Sequence, residues 1–137
     1  MKEIKIRNDQ YDAEISYLIG GTIPDVRALM KRRYGEKAQI RSGQDTDTVD
    51  ETLEDDTDGY QFAYHATQGE NERFYVWVAE PTHELLAHES SHLGYDILNH
   101  RGVKHCDESE EAYAYMQGWL HKKLYERLGL GRAIKIK

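Results

Sequence analysis

Residues 73–103, "RFYVWVAEPTHELLAHESSHLGYDILNHRGV", change their period part-way along, and that change decides the fold class. Residues 73–80 alternate: Phe74, Val76 and Val78 fall on one side, Tyr75 and Trp77 on the other. β-Branched and aromatic residues at period two predict a strand, and both sets read as sheet packing. Pro81 ends the alternation, and Thr82 is a natural opener for a helix. That helix is expected to stop at Gly102, a C′ glycine with apolar Val103 just beyond it.

The same reading extends outward in both directions. Asp107, with Glu110 three residues later, resembles a capping box and predicts a last helix to about Leu128. Gly129 and Gly131 end it, leaving 132–137 as a short strand or a frayed tail. Towards the N-terminus, residues 3–7 and 11–19 alternate as half-buried strands, and Asn8, Asp9 and Gln10 between them predict a hairpin. After Gly20 and Gly21, Thr22 followed by Pro24 and Asp25 starts a helix with Val26, Leu29 and Met30 on one face, ending near Gly35. Tyr60, Phe62 and Tyr64 mark another strand, and "TQGENE" (67–72) the turn after it. The order β-β-α-loop-β-β-α-α predicts one α+β domain over 1–137, with a small, mostly antiparallel sheet packed on the last two helices.

Between Asp45 and Asp58 stand eight carboxylates and no Lys or Arg. A calcium loop would need a turn glycine where Asp50 stands. The segment at about 43–58 is therefore expected to be an acidic, mobile loop. The chain of 137 residues carries a net charge of −7, which argues against non-specific nucleic-acid binding. It has no apolar run of membrane-spanning length and no apolar signal core. One cysteine, Cys106, cannot form an internal disulfide, so a reducing cytoplasm is expected. Oligomeric state is not legible.

Within the long helix, His88-Glu89-Ser90-Ser91-His92 is an HExxH. Two histidines four residues apart project from one helix face and can reach the same ion. Zinc in a catalytic site takes three protein ligands and leaves a position for water. Glu89, beside the first histidine, is placed to take that water's proton during attack on a carbonyl.

Eighteen residues separate His92 from Glu111, giving HExxH-x18-E. This pattern resembles the gluzincin metallopeptidases, in which a glutamate on the following helix completes the zinc site. The segment from about residue 74 to 128 is also similar to small phage-encoded proteins with such a peptidase site, which would place the protein in the host cytoplasm. The resemblance implies a zincin-like fold, a Zn2+ cofactor held by His88, His92 and Glu111, Glu89 as general base, and a protein or peptide substrate. Ala114, three residues after Glu111, resembles the family's ExxA arrangement, in which a small residue lets the two helices approach.

Rival ligands fail on geometry. Asp96 is eight residues from His88, about 12 Å along the axis, and three ligands on one straight helix cannot converge. His100 fails more badly, His105 and Cys106 need the interhelix loop to fold back, and Glu108 and Glu110 point to other faces. His83 reads as a surface residue of the first turn, and Tyr115 either as a partner for a ligand histidine or as a core aromatic. Full-size gluzincins take an oxyanion donor from a downstream domain; only 26 residues follow Glu111 here, so Tyr60, Tyr64, His65 and Tyr75 are the candidates. The strand at 73–80 is where zincins bind peptide backbone by strand addition. Two other readings stay open: a catalytically silent zinc-binding interaction module of the phage inhibitor or adaptor kind, and a helix whose His and Glu merely face solvent.

Overall fold

The computed structural model describes residues 1–53, 57–64 and 72–129. Eleven elements follow in order: β1 (Lys2–Asn8), β2 (Ala13–Ile19), α1 (Ile23–Tyr34), β3 (Gln39–Ser42), β4 (Asp45–Thr48), α2 (Val49–Thr52), β5 (Gly59–Tyr64), β6 (Arg73–Val78), α3 (His83–His100), a 3-10 turn (Asp107–Ser109) and α4 (Glu110–Leu128).

The strands form one six-stranded sheet in the order β1-β2-β6-β5-β3-β4. Four of its pairings are antiparallel, and β2 with β6 is parallel, Ile15 lying opposite Phe74. The α+β class and mostly antiparallel sheet expected from the sequence are therefore present. Because β2 and β6 are central, both of their faces are covered, which is why "RFYVWV" is apolar on both sides.

Helices cover the two faces separately. Phe74, Val76 and Val78 join Ile4, Ile15 and Tyr17 against Leu86, Leu93 and Ile97 of α3 and Met116, Leu120 and Leu124 of α4. Tyr75 and Trp77 join Leu18 and Phe62 on the opposite face, against Val26 and Met30 of α1 and Val49 of α2. The result is three layers, helix on sheet on helix.

The predicted caps account for the helix starts. Thr22 caps α1 in a reciprocal box: its Oγ1 accepts from the Asp25 amide, and Asp25 Oδ2 accepts from the Thr22 amide at 2.8 Å. Thr82 Oγ1 accepts from the Leu85 amide to start α3. The start of α4 differs from expectation: Asp107–Ser109 form a 3-10 turn, and Ser109 Oγ, accepting from the Cys106 amide, replaces the Asp107–Glu110 box.

Part of the acidic stretch expected as a loop at about 43–58 forms elements, and residues 54–56 of it lie outside the described residues. Residues 45–48 pair with β3 as an edge strand and 49–52 form a helical turn, with Thr48 as cap and Val49 and Leu53 buried. The expected tail at 132–137 lies outside the described residues. Among the described residues, no helix is long and apolar enough to cross a membrane.

Candidate functional site

α3 is placed by its apolar stripe. Leu86, Leu93 and Ile97 face the sheet, and Ser90 Oγ meets the Tyr17 hydroxyl at 2.6 Å in the core. The opposite face, with His88, His92, Tyr95 and Asn99, is left exposed. One helical turn apart, the rings of His88 and His92 meet edge to face with centroids 4.9 Å apart. The sequence-predicted pairing of these two imidazoles is thus present in space.

Glu89, next to the exposed His88, turns the other way. It is only 6% exposed and lies beneath the first residue of β5. A side chain at Gly59 would put its Cβ 3.0 Å from Glu89 Oε2, so the glycine makes room for the carboxylate. No described residue donates a hydrogen bond to that carboxylate; His88 Nε2 stands 3.9 Å from its Oε2. Burial pushes the Glu89 carboxyl above the ordinary carboxylate range, while His88 and His92 pull it partly back.

These three side chains form part of the wall of a groove of about 480 Å3. Its other walls are the β3–β4 turn (Ser42 to Gln44), Thr57, the start of β5 (Gly59 to Gln61) and, further along α3, Tyr95, Asp96 and Asn99. Asp96 is held by Arg41 Nη2 at 3.1 Å and by Gln61 Nε2 at 2.9 Å. Arg41 also donates to Glu72 at 2.6 Å, and Glu72 in turn meets His100 at 3.1 Å and Arg101 at 3.4 Å. Asp96 is thus bound into a buried ion network, consistent with its exclusion as a metal ligand. Desolvation, with Arg41 adding to it, holds His100 below the usual imidazole range.

Glu111 is not brought to the histidines. The antiparallel register of α3 and α4 is fixed by Gly94, where a Cβ would stand 2.4 Å from Gln117 Nε2, and by Gln117 donating to the Ser90 and Ser91 carbonyls. At one end Tyr95 meets Tyr113, and at the other His83 Nδ1 meets the Tyr125 hydroxyl at 3.1 Å. α4 therefore passes His88 and His92 with its 117–121 region. Glu111 is exposed in its first turn, six residues or about 9 Å of rise before Gln117. The reason is the length of α3, which runs eight residues past His92 before the chain turns. Among the described residues, no group of three His, Cys, Asp or Glu side chains is placed to hold a metal ion. A catalytic zinc would take three protein ligands; His88 and His92 share one helix face, and Glu111 is not beside them.

The remaining candidates sort by position. Ala114 is exposed, and the close approach of the helices is made by Gly94 instead. Tyr115 is 76% exposed and lines a separate groove with Arg7 and Trp119, away from the histidines. Tyr60 reaches the groove wall, but its hydroxyl donates to the Thr52 carbonyl. Tyr64 stacks on Tyr34, and the Tyr75 hydroxyl is bonded to Tyr34 on the α1 face of the sheet. His65 lies outside the described residues. β6 has neighbours on both sides, so it offers no edge for strand addition. Sequence reasoning missed Tyr95 and Asn99, although both lie on the His88/His92 face by helical spacing. It also missed Gln44, Gln61 and Gly59, which reach the groove only through the sheet. Comparison with protein-family models, with curated proteins and with solved structures finds no match.

Proposed function

We propose that the chain is a zinc-dependent hydrolase of peptide bonds, with His88 and His92 holding the ion and Glu89 as general base. One arrangement carries this reading: a buried carboxylate with no hydrogen-bond donor among the described residues lies beside two exposed imidazoles that face each other on a groove wall. Zinc, when bound, would supply the Lewis acid that polarises the scissile carbonyl. His88 and His92 would fix its position from one rigid helix face. Glu89, mostly buried beneath Gly59 but lining the groove, would accept the proton of the attacking water and return it to the leaving amine. The groove would hold the polypeptide between the β5 wall and α3, in a zincin-like relation of sheet to active-site helix.

The test joins metal content to substrate trapping. Protein purified without added zinc should contain about one equivalent. Glu89→Gln should keep the metal and abolish cleavage of denatured proteins. Metal-free protein, or a Glu89→Gln variant that cleaves like wild type, would sink the reading.

A second reading has a specific observation in its favour. The displacement of Glu111 from the histidine pair suits an interaction module that binds an ion through His88 and His92 without turnover. It predicts bound metal, and no cleavage by wild type or by Glu89→Gln.

A further inference from the structure

We infer that the outward face of α4 binds a second copy of this chain, the two helices lying antiparallel about a two-fold axis near Met116 and Gln117. The inference goes beyond the proposed function and needs neither zinc nor cleavage.

The first observation is a stripe that no described residue covers. Glu111, Tyr115, Gly118 and Lys122 follow one another at spacings of four, three and four residues, which aligns them along one side of α4. All four are exposed, on the side away from Met116, Leu120 and Leu124, which α4 turns to the core. Tyr115 is 76% exposed, the most exposed large hydrophobic residue among those described. A tyrosine held open on a rigid helix is the residue type that anchors interfaces.

The second observation is Gly118. A glycine inside a helix costs stability, and it is kept where another group must come close to the backbone. Gly94 has such a reason within the chain, since a Cβ there would strike Gln117, but a Cβ at Gly118 would meet nothing within 4 Å. The bare backbone at Gly118 therefore suits a neighbour from outside the fold.

The third observation is charge, and it selects the neighbour. The stripe carries a carboxylate at its N-terminal end, Glu111, and an ammonium at its C-terminal end, Lys122; neither is ion-paired with a described residue. Glu111 and Lys122 stand equally far from the midpoint between Met116 and Gln117, and so do Tyr115 and Gly118. A two-fold axis through that midpoint sets Glu111 of each protomer opposite Lys122 of its partner, and Tyr115 over the partner's Gly118. A parallel pairing would set like charges and like helix ends side by side.

Sedimentation velocity on the full chain measures particle mass from about 1 to about 300 μM, at low and at raised salt. Wild type should pass from the mass of one chain to that of two as concentration rises, and should associate more weakly at raised salt. Gly118→Gln has open space to occupy, so at low concentration it should melt no lower than wild type. It should weaken dimerisation about tenfold or more. Glu111→Lys and Lys122→Glu move the net charge in opposite directions, yet each should weaken dimerisation about fivefold or more at low salt. Combined in one chain they restore opposite charges across the axis, and affinity should return to within about twofold of wild type. A chain that stays monomeric overturns the inference, whether a partner protein or residues 130–137 then cover the face. So does a dimer that Gly118→Gln leaves intact, or one that the charge exchange fails to rescue, because another surface would then form it. Absence of bound zinc or of cleavage bears on the proposed function alone.

Discussion

Glu89 stands in surroundings unfavourable to its own charge. It is buried, receives no hydrogen bond from a described residue, and has its carboxyl pushed upward by burial. A buried polar group without a partner costs stability, and such a cost persists at positions kept for chemistry. Glu89→Gln should therefore stabilise the metal-free protein, raising its melting temperature by a few degrees, and under the proposed function should also remove cleavage. A variant that melts lower would mean that the carboxylate has a stabilising partner. This residue was legible from sequence as the second position of HExxH, but its burial was not. Helical spacing puts Glu89 about 100° from His88, and only the position of β5 turns that offset into enclosure. Tyr95 was equally available from spacing and was passed over, because its weight as a groove residue comes from exposure, which periodicity does not report.

At the scale of elements, the site depends on two junctions. The first is β5 against α3, where Gly59 lies over the Glu89 side chain. Its backbone is not in the left-handed region, so alanine is tolerated by the main chain and its effect falls on Glu89. Gly59→Ala places a methyl 3.0 Å from Oε2 and 3.1 Å from Cγ, and should displace the carboxylate. If the proposed function holds, cleavage should fall by about a hundredfold with metal content unchanged, because a displacement of about 1 Å in a general base costs on that order. Wild-type turnover in this variant would show that the close contact is not needed. The second junction is α3 against α4, where Gly94 and Gln117 set the register. Under the proposed function, that register predicts that Glu111→Ala leaves zinc affinity within about twofold, whereas His92→Ala loses more than tenfold. Titration with a metallochromic indicator separates the two, and a large loss in Glu111→Ala would show that α4 shifts when the ion binds. The helices themselves were readable from capping residues and terminal glycines. Their register was not, because it depends on how far α3 continues beyond His92 and on which small residue admits the neighbour.

Across the whole molecule, the sequence carried the layers better than the edge of the sheet. Alternation in β1, β2, β5 and β6 is long enough to read, and the apolar stripes of α1 and α3 assign them to it. β3 and β4 are four residues each, and the charge of "DTDTVDET" hides both an edge strand and the Val49/Leu53 spacing that seats α2. An edge strand bearing aspartates is itself protected from pairing with other chains, so its polarity is compatible with its place. The layer formed by α1 is tied to the far edge of the sheet through Arg33, which donates to Glu3 of β1 at 2.9 Å and to the Tyr75 hydroxyl at 3.2 Å. Hydrogen bonding from Arg33 is the largest cause that holds the Glu3 carboxyl down at about 2, against an ordinary value of 4.5. A carboxyl depressed by folding binds its proton more weakly in the native state, so its contribution is fully present above about 4.5 and is lost as pH falls towards 2. Glu3→Gln should therefore lower unfolding free energy by about 1–2 kcal/mol at neutral pH, after allowance for partial solvent screening. Urea titrations of wild type and variant should converge as pH drops through that window. If the difference persists undiminished near pH 2, the contact acts through packing of the side-chain stems rather than through the charge of Glu3.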